Sequence, residues 1–239
     1  MFRLSRYLHT LNTTANGNRP PPGVTTAGGP VVIWNLIRRC NLTCKHCYAT
    51  AADRDFPGEL DTRQVYEVMD NLHDFGVPVL ILSGGEPLMR PDIFDISRRA
   101  KDRGFYVGLS SNGTLIDQNN SDDIVSIGYD YVGISIDGPR HLHDTYRVDR
   151  GGGPTFDKVM RGLRLLQKHG VDYNVLVTVN RTNADRPLEV YRFLRDEVGT
   201  DWIQLIPVVE RIDEPAPPQG FLDRAPEYRH ATTIPRLMS

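Results

Sequence analysis

The sequence predicts an α/β protein built on a parallel sheet, closest to a partial (β/α)6 TIM-like barrel. Three observations carry that prediction. Short apolar runs alternate with segments of helical period from residue 31 to residue 208. The runs are apolar on both faces, as strands of a helix-covered parallel sheet are. Chemically distinctive residues recur just after successive runs, at the C-terminal strand ends where such sheets carry their sites.

The elements follow in order. "VVIWNLI" is a β-branched run that ends at the cysteines. "TRQVYEVMDNLHDFG" places Val65, Val68, Met69 and Leu72 at the helical period, with Gly76 as the stop. "VPVLILS" is a second apolar strand, and "PDIFDISRRAKDRG" a helix with Pro91 near its first turn and Gly104 at its end. Strand "FYVGLSS", a weaker helix near 118–127, strand "YDYVGISID", helix "TFDKVMRGLRLLQKHG", strand "YNVLVTVN", helix "RPLEVYRFLRDEVG" and strand "WIQLIPV" complete the pattern. That makes six strands and five intervening helices. Eight strands would close a barrel, so six leave it open.

Outside this core, residues 1–30 read as a short amphipathic helix followed by a linker rich in Pro and Gly. The core runs over residues 31–212. Residues 213–239 have no helical period and too many prolines for a sixth helix, so an irregular, truncated end is expected. The last strand would then carry an open apolar face and edge.

With 28 basic against 30 acidic residues the net charge is −2, which gives no electrostatic case for nucleic acid or a membrane surface. The apolar runs are strand-sized, and the N-terminus lacks the apolar core of a secretory signal. Together with clustered thiols, this predicts a cytoplasmic protein.

All three cysteines, Cys40, Cys44 and Cys47, fall in "CNLTCKHCY" after the first strand. A disulfide framework wants an even count, and structural zinc wants four ligands. Three clustered thiolates can instead hold three irons of a [4Fe–4S] cluster and leave the fourth iron open. Zinc or thiol redox chemistry is the competing reading. Three further motifs follow later strands: "SGGEPL", "SSNGT" and "SIDGP". Either of the first two alone would pass for a turn, but together at successive strand ends the motifs define a site. In "HLHDTYR" the paired His141 and His143 suggest a metal, yet an exposed loop with hydrogen-bonding histidines is the preferred reading. Trp34, Phe105 and Tyr131 are assigned to the core, and Arg38 and Arg39 to solvated charge.

A C-x3-C-x2-C loop after the first strand with "GGEP" after the second resembles the radical S-adenosylmethionine superfamily. The resemblance implies a [4Fe–4S] cluster on Cys40, Cys44 and Cys47 whose open iron chelates S-adenosylmethionine. An electron from the cluster then cleaves the cofactor to a 5′-deoxyadenosyl radical that abstracts hydrogen from a substrate. It further implies that Gly84, Gly85 and Pro87 shape the cofactor's cradle, with Glu86 accepting from its ammonium group. Ser111 and Asn112 would hold its ribose. Ser135 and Arg147 would hold its methionine moiety, Arg147 through the carboxylate. His46, where the family often has an aromatic hydrocarbon, would contact adenine through its backbone.

Within the superfamily, the stretches "MFRLSRYLHTL" through "YDYVGISIDG" are similar to radical enzymes of heme d1 biosynthesis, which act on porphyrin propionates. From about residue 138 the chain is similar to anaerobic sulfatase-maturating enzymes, which convert a Cys or Ser to formylglycine. The implied substrate is a porphyrin or, as the alternative, a sulfatase peptide, with an external electron donor such as flavodoxin or ferredoxin. Both families continue into a cysteine-rich C-terminal domain with auxiliary clusters. No cysteine follows Cys47 here, so such clusters are not expected from this chain. A non-catalytic electron carrier or scaffold is a third reading, disfavoured because a carrier needs no cofactor cradle.

Overall fold

A computed structural model describes residues 29–49, 51–200 and 202–208. The predicted N-terminal helix and C-terminal tail lie outside the described residues. Six parallel strands form one sheet in sequential order, an open half-barrel. They are β1 (Val31–Ile37), β2 (Val79–Gly84), β3 (Tyr106–Ser111), β4 (Tyr131–Ser135), β5 (Tyr173–Val179) and β6 (Ile203–Pro207). All six match predicted runs.

The predicted helices are α1 (Thr62–Asp74), α2 (Ile93–Asp102), α3 (Gln118–Ile127), α5 (Phe156–Lys168) and α7 (Pro187–Asp196). Their starts follow local chemistry. Asp61 and Asp117 each close a capping box, with Gln64 and Asn120 respectively. Helix α2 begins at Ile93, two residues after Pro91, which lies near its first turn as expected.

Two helices were not predicted. "HLHDTY" is not an exposed loop but helix α4 (Arg140–Tyr146), with His143 fully buried and only His141 at the surface. It is seven residues long and has no side-chain cap, so it lacks both the length and the start signal that reveal a helix. Helix α6 (Arg181–Ala184) is a single turn capped by Asn180 and Asn183.

Between sheet and helices lies one core that includes Met69, Leu80, Leu82, Ile96, Leu109, Ile134, Leu163 and Val177. Phe105 and Tyr131 are buried and Trp34 packs against the core, as predicted. On the edge strand β6, Leu205 and Ile206 are exposed among the described residues. Helix α5 approaches the loop after β3 at Gly162, where a Cβ would strike the Gly113 carbonyl oxygen and crowd Ile116.

Gly162→Ala therefore tests packing against propensity. Alanine favours a helix by ~1 kcal/mol, but the obstacle is backbone and cannot rotate away, and overpacking costs about 1–3 kcal/mol. The urea midpoint of Gly162→Ala should fall. A rise would mean that this contact is looser than described.

Candidate active site

The cysteine loop is braced on one side by the turn after β2. Pairing of β1 with β2 runs in register from Val31–Val79 to Asn35–Ser83 and resumes at Ile37–Gly84, so Leu36 is an inserted bulge residue. The Gly85 N–H donates to the Ile37 carbonyl at 2.6 Å and the Glu86 N–H to the Arg39 carbonyl at 2.9 Å. A Cβ at Gly84 would collide with the Ile37 carbonyl, and one at Gly85 with those of Arg38 and Arg39. The described demand for glycine thus comes from the chain's own backbone, which enters the cysteine loop through this gap. Buried Arg90 clamps the bulge by donating to the Leu36 carbonyl at 3.1 Å.

On its other side the loop pairs with the segment after α4. Leu42 bridges Asp149 antiparallel, the Thr43 N–H donates to the Val148 carbonyl at 2.9 Å, and the Lys45 N–H donates to the Tyr146 carbonyl at 2.8 Å. This short ladder sets Cys44 opposite Arg147.

The three thiols are free. Burial pushes the Cys40 thiol up to about 12 and the Cys44 thiol up to about 11. Left alone, such thiols stay protonated; a bound metal centre supplies the positive charge that makes them thiolates. Among the described residues no three Cys, His, Asp or Glu side chains close around a single ion. On donor chemistry the residues fit a cubane.

Two buried hydrogen-bonded groups flank the loop. The first centres on Asp137, two residues past β4. Its Oδ2 accepts from His46 Nε2 at 2.7 Å and Arg147 Nε at 2.8 Å; its Oδ1 accepts from Arg147 Nη2 at 3.0 Å and the Thr178 N–H at 2.8 Å. Arg147 Nη2 also donates to Thr178 Oγ1 at 3.1 Å. Burial alone would push the Asp137 carboxyl up, but the Arg147 guanidinium, then His46, holds it well below the usual carboxylate range. The His46 ring stacks on Tyr146, with ring centroids 5.6 Å apart.

Beneath this group lies His143. Its Nδ1 accepts from the Asp137 N–H at 3.4 Å and its Nε2 faces Thr155 Oγ1 at 3.1 Å, while that hydroxyl donates to the Arg147 carbonyl at 2.7 Å. The pattern assigns a neutral ring protonated at Nε2. Burial, reinforced by Arg147, lowers its pKa to about 3.

The second group centres on Glu86, which has no exposed surface. Its Oε1 accepts from the Leu88 N–H at 3.1 Å and Ser111 Oγ at 2.9 Å, and its Oε2 accepts from the Asn112 N–H at 2.7 Å. Oε2 keeps one acceptor direction, which suits an ammonium donor. Burial pushes Glu86 up to about 7 against those three bonds. Asn112 Nδ2 donates to Asn41 Oδ1 at 2.9 Å and lies 3.8 Å from Cys40 Sγ.

The structure thus brings Cys40, Glu86, Ser111 and Asn112 into one group and Cys44, His46 and Arg147 into the other. Ser135 ends β4, half-buried, two residues before Asp137. Pro87 opens a 3-10 turn, Pro87–Met89, that Glu86 caps. Arg39 is not simply solvated, since it pairs with Asp53 at 2.5 Å, and Arg38 lies over the Phe56 ring at 4.3 Å. Sequence reasoning missed Asp137, Asn41 and Thr178. Asp137 stood in the quoted "SIDGP" and could have been flagged as an acid at a strand end; nothing local marked the other two.

Residues 34–194 match the Radical SAM superfamily. The chain belongs to that superfamily, a family of enzymes that use a [4Fe–4S] cluster and S-adenosylmethionine. Among relatives it is similar to the pre-heme d1 synthase of Dinoroseobacter shibae, at 42% identity over 201 residues, covering 84% of this chain and 48% of that protein. It is 40% identical to the Fe-coproporphyrin III synthase of Methanosarcina barkeri, covering 70% of this chain and 41% of that one. It is 34% identical to a serine-type anaerobic sulfatase-maturating enzyme of Bacteroides thetaiotaomicron, covering 72% and 44%. The chain therefore spans about half the length of these relatives. The native anSMEcpe structure with bound AdoMet shares the fold at a TM-score of 0.67 and 24% identity, over 80% of this chain and 54% of that one.

In the metal-free chain the two buried carboxyls should pull stability in opposite directions with pH. Asp137 contributes stability that is present above its ordinary value of 3.8 and is lost as pH falls through its lower folded value. Glu86, raised from 4.5 to about 7, contributes stability that is full below 4.5 and lost as pH rises through about 7. Relative to Glu86→Gln, the parent chain should lose stability to urea as pH rises from about 4.5 to about 7. A pH-independent difference would show that Glu86 ionises at its ordinary value.

Proposed function

We propose that this chain is the radical-generating core of an enzyme that modifies porphyrin side chains. The observation that carries the reading is the loop of three free thiols, pinned between the Gly84–Pro87 turn and the segment after α4. Cys40, Cys44 and Cys47 would hold the [4Fe–4S] cluster, with S-adenosylmethionine beside it. Together these groups supply, when bound, the electron and the adenosyl radical that removes a substrate hydrogen.

The chain's own residues would do the holding. Glu86 offers its remaining Oε2 acceptor to the cofactor's ammonium, at a turn shaped by Gly84, Gly85 and Pro87. Ser111 and Asn112 would hold the ribose, and Ser135 the methionine moiety. Arg147 has Nε and Nη2 engaged by Asp137, so Nη1 is the nitrogen it would turn to a carboxylate. His46 has its ring committed to Asp137 and Tyr146, which leaves its backbone for adenine.

The porphyrin substrate is supported by relatives named pre-heme d1 synthase, Fe-coproporphyrin III synthase and AdoMet-dependent heme synthase. Sulfatase maturation is the second reading, supported by the 34% identical relative. Either chemistry needs an external one-electron donor of the flavodoxin or ferredoxin class. Among the described residues no helix is long and apolar enough to cross a membrane. Three reduced thiols in one loop favour the cytoplasm.

Anaerobically reconstituted chain should bind about four irons as one cluster, and any single Cys→Ala should abolish its visible absorption. With dithionite and S-adenosylmethionine it should release 5′-deoxyadenosine. Porphyrin-dependent deuterium transfer into that product would support the first substrate, and peptide-dependent transfer the second. A fully reconstituted chain that forms no 5′-deoxyadenosine would overturn the enzyme reading and favour an electron carrier.

A further inference from the structure

The guanidinium of Arg147 is an unusual object: a cation with almost no exposed surface, lying against a loop whose chemistry is sulfur. The ladder between residues 42–45 and 146–149 fixes why it lies there. Thr43 and Lys45 bond to Val148 and Tyr146, so Cys44 and Arg147 occupy one antiparallel rung. The side chain cannot swing away, because Asp137 takes Nε and Nη2 and Thr178 shares Nη2. Asp137 is itself fixed by His46 and the Thr178 N–H. The Asn183 side chain donates to the Asp137 carbonyl at 3.0 Å.

We infer that Arg147, immobilised by Asp137, is a fixed counter-charge beside the Cys44 thiolate, and that its charge sets the reduction potential of the cluster. The inference rests on the cluster-binding reading above and goes beyond it by giving Arg147 a role toward the sulfur ligands in addition to the one toward the cofactor, with Asp137 as its positioning residue. The physical reason is charge. Reduction adds one electron to the cluster and moves no proton, so it adds one negative charge. A nearby buried cation stabilises that state, and a buried anion opposes it. Outer residues of this kind tune a metal centre without touching it.

The opposite signs of the two partners give the test. Reconstituted parent chain, Arg147→Gln, Asp137→Asn and Arg147→Lys are titrated with dithionite and mediators, without S-adenosylmethionine, and the reduced cluster is followed by electron paramagnetic resonance. Arg147→Gln should move the midpoint negative and Asp137→Asn should move it positive. Each shift should reach about 59 mV, a tenfold change in a one-electron equilibrium. Arg147→Lys, which keeps the charge, should stay nearer the parent than Arg147→Gln. A merely structural brace predicts weaker cluster retention with no opposed shifts, so unmoved midpoints or shifts of one sign overturn the inference. If Arg147→Gln does not hold a cluster, Asp137→Asn decides alone: a positive shift supports the inference, and no shift or a negative one overturns it. A parent chain that binds no cluster overturns the site reading and this inference together. A parent with about four irons and unmoved variants overturns this inference only.

Discussion

The site depends on one carboxylate that never meets water. Asp137 joins the end of β4 to the cysteine loop through His46, to the segment after α4 through Arg147, and to β5 through Thr178. Such a pair is weak evidence for net stability, since desolvating both charges cancels much of their attraction. What it supplies is placement. Removing either partner would strand the other charge in the interior at a cost of about 3–5 kcal/mol, so the arrangement tolerates little variation.

Glu86 shows what the same functional group does without that cation. Both carboxyls are fully buried and both accept backbone N–H bonds, yet Asp137 is held low and Glu86 is lifted. The difference is Arg147. Neutral donors at Leu88, Ser111 and Asn112 soften the penalty of burial for Glu86 but do not remove it. A carboxyl poised in this way is preorganised for a cationic ligand, because the ligand's charge completes what the protein leaves unbalanced. The cysteines follow the same rule with the signs kept: buried thiols wait for a metal to make their ionised form favourable.

Much of this architecture was legible in the sequence because it is written in local patterns. The six strands are runs of apolar residues, and the five long helices carry a 3.6-residue period over two turns or more. The cysteine loop and the Gly84–Pro87 turn announced themselves by residue type. What stayed hidden depends on contacts between distant segments. Helix α4 is too short to show a period and is buried through Leu142 and His143, the latter with partners Asp137 and Thr155 on either side of the helix. The meeting of Asn41 with Asn112 and Thr114 spans more than seventy residues and leaves no periodic trace. The glycines at 84 and 85 were visible, but the reason for them, a backbone crossing at Ile37–Arg39, needed three dimensions.

The ladder that braces the cysteine loop also dates it in the life of the chain. Thr43 hydroxyl and Asp149 carbonyl meet across 106 residues, and no shorter-range contact reproduces that rung. Non-local pairings form late, because the closure of so long a loop must be offset by the strands between. During synthesis at roughly 5–20 residues per second, the thiols leave the ribosome on the order of 5–20 seconds before their brace exists. For that interval the loop has at most its β2-side brace, and its thiols are open to oxidation and to whichever soft metal arrives first. The assembly of this site is therefore as much a matter of timing as of geometry.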